Sequence, residues 1–121
     1  MASILTVDDS ASIRMTIKIA LANEGYNVVE AGDGAEGLAK AADGGFSLII
    51  TDLNMPVMDG LTMIRNLRAK PGNSGVPILF LTTESDVEIK AQAKAAGATG
   101  WLTKPFIPEQ LVRVVKKVLA S

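Results

Sequence analysis

The chain has 121 residues, 48% hydrophobic and 21% charged, with a formal net charge of −1; this is ordinary globular usage, which excludes a disordered polypeptide and fits one compact domain with its own core. It contains no cysteine and no histidine, which excludes disulfides, thiolate and imidazole metal sites, thiol catalysis, histidine general bases and the histidine end of a phosphate relay. No basic tract suits nucleic acid, carboxylates at positions 8 and 9 interrupt any signal-peptide core, and no apolar run approaches the about 20 residues that span a bilayer.

A soluble, cytoplasmic protein with no nucleic-acid or membrane partner is therefore expected, and the lack of cysteine suits a reducing compartment. Short apolar runs alternate with longer segments of helical period, the sequence form of repeated βα units. In chain order, strands are predicted at Ile4–Val7, Val28–Ala31, Leu48–Ile50, Ile78–Leu81 and Trp101–Thr103. Helices are predicted between and after them, at Ala11–Ala22, Ala35–Ala42, Leu61–Ala69, Asp86–Ala96 and Glu109–Leu119. The last has the clearest period, with Leu111, Val114, Val115 and Val118 on one stripe.

Punctuation agrees with this division. Ser85 with Glu88 reads as a capping box opening the fourth helix. Gly25 and Gly97 stand where a helix ends in a left-handed residue, and the stretch from Pro71 to Gly75 is a loop by composition. Leu48–Ile50 and Ile78–Leu81 are apolar without alternation, as parallel strands covered on both faces must be. Ile4–Val7 is nearly so. Glu30 in the second strand and the short, polar-ended fifth suit sheet edges, which leaves the first, third and fourth strands central. Periodicity alone does not fix their order.

In a parallel α/β sheet the strand C-termini share one edge, and ligands bind there. That edge would gather Asp8 and Asp9 after the first strand, Asp52 and Asn54 after the third, Thr82 and Thr83 after the fourth, and Lys104 after the fifth. Singly these residues are unremarkable: the first pair could cap a helix, the threonine could end a strand, the lysine could be solvated. Together they are hard to explain as packing. Carboxylates held close repel unless a cation or proton lies between them. An all-oxygen donor set with few protein ligands suits Mg²⁺ and is poorly suited to zinc. Mg²⁺ and Lys104 would offset the charge of an incoming phosphoryl group, leaving a carboxylate free to act as the nucleophile.

Four segments, VDDS at 7–10, TDLNMPVMDG at 51–60, FLTTES at 80–85 and GWLTKPF at 100–106, resemble the response-regulator receiver family, most closely its single-domain chemotaxis members, and the likeness covers essentially the whole chain. The resemblance implies a flavodoxin-like α/β fold: a doubly wound parallel sheet of five strands in the order 2-1-3-4-5, with five helices. It implies phosphoryl transfer to Asp52 from a sensor histidine kinase. Mg²⁺ would be held by Asp9, Asp52 and the carbonyl of Asn54, with Asp8 acting through water. Thr82 and Lys104 would contact the phosphoryl oxygens, and the Lys104–Pro105 peptide would be cis. Asn54 and Glu84 match residues that flank the acceptor in these members, which implies a phosphate lost within seconds to minutes. Switching would follow from Thr82 moving toward the phosphate and the aromatic at Trp101 turning inward, remodelling a face made of the fourth helix, fifth strand and fifth helix. Tryptophan stands where tyrosine or phenylalanine is common, and Thr83 where alanine or glycine is common.

The sequence runs out after the fifth helix, so a single receiver domain over residues 1–121 without an output domain is expected, acting as a monomer by docking rather than as an enzyme. The expected target is a flagellar motor switch, with Lys90 on the docking face; the resemblance also allows a phosphatase partner. A phosphate sink or relay intermediate is the alternative role. A haloacid-dehalogenase-like phosphatase would need a second acid two residues after its nucleophile, where Asn54 stands. A flavin-binding relative would need a phosphate loop where Asp8 and Asp9 stand.

Overall fold

The computed structural model describes residues 2–53, 55, 57–69, 75–83 and 87–120. Five βα repeats follow one another: β1 (Ser3–Val7), α1 (Ala11–Ala22), β2 (Asn27–Ala31), α2 (Gly34–Ala42), β3 (Leu48–Asp52), α3 (Gly60–Ala69), β4 (Ile78–Thr82), α4 (Val87–Ala95), β5 (Gly100–Thr103) and α5 (Pro108–Ala120). All neighbouring strands pair in parallel, in the order β2-β1-β3-β4-β5. The three strands expected at the centre are there, and the strand bearing Glu30 and the short last strand form the edges.

Alternate residues of each central strand feed opposite layers, because successive side chains leave a strand on opposite faces. Leu5, Val7, Ile49 and Phe80 pack with Met63, Ile64 and Leu67 of α3, Ala41 of α2 and Ala93 of α4. Ile4, Leu48, Ile50, Leu79, Leu81 and Leu102 pack with Ile17 and Leu21 of α1 and Leu111 and Val115 of α5. The α5 stripe thus docks as its period predicts, with Val114 and Val118 partly buried beside it. Burying a Leu or Ile side chain contributes roughly 1.5–3 kcal/mol, so these two layers are the main source of stability.

Helix ends follow local chemistry. Ser10 caps α1, its hydroxyl accepting from the Ile13 N–H, and Asp33 caps α2 through Glu36 N–H. Gly25 and Gly97 have φ of 91° and 113°, the left-handed conformation expected after α1 and α4. Ser85, half of the expected capping box, and most of the 71–75 loop lie outside the described residues.

Two strands run further than their apolar runs suggested. β3 continues through Thr51 and Asp52, and β4 through Thr82, all of them buried. The ladder explains it: Thr51 is still opposite Val7 and Phe80, and Asp52 opposite Leu81, so backbone pairing carries polar residues into the sheet. The polar ends of these strands are therefore paired parts of the sheet.

Candidate functional site

The C-terminal ends of β1, β3, β4 and β5 meet at one edge. Asp8 leaves β1 with its N–H donating to Ala31 O at 3.1 Å, and its side chain is fully buried. One oxygen, Oδ1, accepts from Ser10 N–H at 2.9 Å; the other, Oδ2, accepts from the Lys104 ammonium at 3.1 Å. The residue capping α1 is Ser10, so Asp8 is left to the pocket.

Asp52 ends β3. Its Oδ1 accepts from Leu53 N–H at 2.8 Å and its Oδ2 lies 3.2 Å from Lys104 Nζ. Both oxygens are held, which fixes the orientation of the carboxylate. Lys104 thus bridges Asp8 and Asp52, and one ligand oxygen from each of Asp8, Asp9 and Asp52 lies within 4.8 Å of the others. Asp9 is exposed, while Asp8 and Asp52 are buried. Thr82 ends β4 one residue past Leu81, the partner of Asp52, and its carbonyl accepts from Lys104 N–H at 2.8 Å. Thr82 is fully buried and Thr83 exposed. The Lys104–Pro105 peptide is cis.

Glycine makes this closeness possible at two points. A Cβ on Gly60 would lie 2.2 Å from Asp52 O, and one on Gly34 would lie 2.2 Å from Met58 O. Only glycine lets α3 begin against the backbone of Asp52 and lets the segment before it rest on α2. A cavity of about 390 Å³ opens beside the cluster, lined by Ile13, Thr16, Thr83, Lys104, Pro105 and Phe106.

Electrostatics set the character of the pocket. Burial pushes the Asp8 carboxyl above the ordinary carboxylate range, although the Ser10 N–H and the Lys104 ammonium both oppose the shift. Burial would lower Lys104, but the carboxylates of Asp52 and Asp8 outweigh it and hold the ammonium above its usual pKa. Three carboxylates face one ammonium, an excess of negative charge that a hard divalent cation matches. The donors are oxygens alone, which fits Mg²⁺ or Ca²⁺ and not a thiolate- or imidazole-seeking metal.

Every expected site residue that is described, other than Trp101, gathers at this edge. Asn54 and Glu84 lie outside the described residues. Trp101 sits on β5 away from the carboxylates, 47% exposed, its ring centroid 6.2 Å from that of Phe80 and 4.8 Å from the Lys90 ammonium. Sequence reasoning missed the backbone N–H groups of Ser10 and Leu53, which no residue type advertises. It also missed Arg14, whose guanidinium reaches back from α1 to Asp8 O at 2.5 Å.

Comparisons with known proteins agree with this geometry. Among solved structures, the chain resembles the chemotaxis protein CheY4 of Vibrio cholerae, with a TM-score of 0.93 and 48% identity over 98% of each chain. It also resembles the receiver domain of the sensor histidine kinase PA1611 of Pseudomonas aeruginosa, whose structure has a magnesium ion coordinated in the active-site cleft; the TM-score is 0.91, with 29% identity over 99% of this chain and 98% of that one. The transcriptional regulatory protein ResD of Bacillus subtilis is 37% identical over 96% of this chain, and PrrA of Mycobacterium tuberculosis 36% identical over the same share. The chain spans about half the length of these two relatives, 47% and 49%. The profile of the response regulator receiver domain matches residues 4–116, and the chain belongs to that family of two-component signalling proteins.

Proposed function

We propose that this receiver accepts a phosphoryl group on Asp52 from a sensor histidine kinase, with Mg²⁺ bound, and signals by changing which protein it binds. The observation that carries the reading is the lysine bridging two buried carboxylates, 3.1 and 3.2 Å away, beside a third carboxylate at the surface. Asp9 and Asp52 would hold Mg²⁺, joined by the carbonyl of Asn54, with Asp8 acting through water. When bound, Mg²⁺ offsets charge on the phosphoryl oxygens.

The chain's own groups supply the rest. An Asp52 carboxylate oxygen attacks phosphorus as the bond from phosphorus to the donor nitrogen breaks, the electron pair leaving with the imidazole. Leu53 N–H and Lys104 hold the carboxylate in place before attack. Lys104 then exchanges its contact with Asp52 for the phosphoryl oxygens, and the Thr82 hydroxyl donates to one of them. Hydrolysis within seconds to minutes is assigned to the surroundings set by Asn54 and Glu84.

Output is assigned to the face of α4, β5 and α5. Trp101 is half-exposed there, and withdrawal of Thr82 toward the phosphate gives its indole room to turn inward. The role is chemotactic control of the flagellar motor, supported by 48% identity with CheY4 over 98% of both chains. Borohydride reduction of the phosphorylated protein tests the acceptor, and homoserine should appear at position 52 alone. Binding of the beryllofluoride-treated protein to a motor-switch peptide tests the output. A receiver that labels at Asp52 yet ignores that peptide would instead be a sink or relay.

A further inference from the structure

We infer that Arg14 is a positioning residue for the divalent-cation site, and that Glu30 is the counter-charge that lets a cation do this so close to Mg²⁺. The inference rests on the proposed reading of the acidic cluster as a Mg²⁺ site.

Asp9, the exposed member of the cluster, makes no hydrogen bond or ion pair with the described residues. Where its carboxylate stands therefore depends on its backbone, and first on the peptide that joins it to Asp8. The orientation of that peptide is set by the Asp8 carbonyl. Arg14 Nη1 donates to this carbonyl at 2.5 Å, from one turn into α1. The same guanidinium is held from its other side by Glu30 on β2, Nε to Oε1 at 3.3 Å. Glu30 is fixed in turn: its carboxylate also meets Lys18 at 3.5 Å, and its backbone carbonyl accepts from Lys40 Nζ. The Arg14 side chain is 20% exposed, so the contact is partly sheltered from solvent. A chain of contacts thus runs from β2 through Arg14 to the peptide that carries Asp9.

Charge and position act in opposite directions here, which makes the inference testable. Considered as charge alone, a guanidinium near the cluster repels Mg²⁺, and its removal should tighten binding. Considered as a clamp, its removal frees the Asp8–Asp9 peptide and weakens binding. Groups that orient metal ligands typically change affinity about 10–100-fold when lost. Glu30 lies 3.3 Å from the guanidinium and, although it also meets Lys18, offsets part of its charge, so positioning is expected to dominate.

The experiment is Mg²⁺ titration of the whole chain, followed by calorimetry and by fluorescence of its one tryptophan, with wild type, Asp9→Asn, Arg14→Met, Arg14→Leu, Arg14→Lys and Glu30→Gln. Arg14→Met should weaken Mg²⁺ about tenfold. Arg14→Lys keeps the charge and one donor and should bind Mg²⁺ more tightly than Arg14→Met does. Glu30→Gln should weaken Mg²⁺ several-fold, a direction that charge alone shares, so Arg14→Leu carries the test if Arg14→Met gives no cooperative melt. Arg14→Met affinity equal to or tighter than wild type, or unchanged affinity in Glu30→Gln, overturns the inference. Failure of the underlying reading gives a different result: wild type itself shows no Mg²⁺ binding, or Asp9→Asn binds as wild type does.

Discussion

Removing one carboxylate from the cluster should make the metal-free protein more stable and the Mg²⁺-loaded protein less so. The substitution is Asp9→Asn, which keeps size and exposure and deletes one charge. Like charges 4.8 Å apart, the outer bound on the spacing here, repel by about 0.9 kcal/mol in water and about 3.5 kcal/mol at an effective dielectric of 20. Asp9 is exposed, so its repulsion with Asp8 and Asp52 lies toward the aqueous limit, and attraction to Lys104 offsets part of it. A net gain of about 1–2 kcal/mol is expected in EDTA, which for a domain of this size raises the melting temperature by about 3–8 °C. In excess Mg²⁺ the order reverses. Wild type gains about 2.7 kcal/mol when the ion is at a hundred times its dissociation constant, and the variant gains less because it binds more weakly. Differential scanning calorimetry in EDTA and in excess Mg²⁺ gives both comparisons from one pair of proteins. A variant less stable than wild type in EDTA, or one with an undiminished Mg²⁺ shift, would refute the idea that crowded carboxylates hold the ion.

Four further outcomes are expected. Thr6 is fully buried with no hydrogen-bond partner for its hydroxyl among the described residues, so Thr6→Val should raise stability by about 1 kcal/mol in denaturant titration. Val57 is 83% exposed at a φ of 69°; this left-handed conformation costs an L residue about 1–2 kcal/mol, and Val57→Asn should recover about 1 kcal/mol by the same assay. Because burial raises the Asp8 carboxyl above 3.8, the folded protein takes up that proton before the unfolded chain does. The buried charge therefore disfavours folding increasingly as pH rises from 3.8 through the raised value, and in EDTA the stability of Asp8→Asn relative to wild type should climb across that window and then level off. Lys90 lies over the Trp101 ring, a contact of about 0.5–1 kcal/mol at an exposed site; Lys90→Ala should alter the indole emission of the resting protein and reduce the change on beryllofluoride addition, whereas an unchanged spectrum would mean the contact does not hold the ring.

Much of the fold was written in residue order. Unbroken apolar runs at Leu48–Ile50 and Ile78–Leu81 mark strands covered on both faces, and Glu30 marks an edge, because a carboxylate in a doubly covered strand would be buried without solvent. The strand order needed the receiver resemblance, since periodicity records which face of an element is buried and not which neighbour it has. Strand ends were misjudged by up to two residues at Asp52 and one at Thr82, because backbone pairing with Leu81 and Thr103 extends past the last apolar side chain. The acids and the lysine were legible as a site because 96 residues separate Asp8 from Lys104 and only the parallel βα plan returns both to one edge. What stayed hidden were three particular backbone groups: the Ser10 and Leu53 N–H groups on the carboxylates, and the Asp8 carbonyl that Arg14 holds. Arg14 in the sequence is one more charged residue on an amphipathic helix.

The most direct measurement is intact mass after incubation with acetyl phosphate, run with Mg²⁺ and with EDTA, on wild type and on Asp52→Asn. One added phosphoryl group is expected in wild type with Mg²⁺, and none in the other three samples. Equal labelling of both proteins, or labelling of wild type that is indifferent to EDTA, would contradict the assignment of Asp52 as a cation-assisted acceptor.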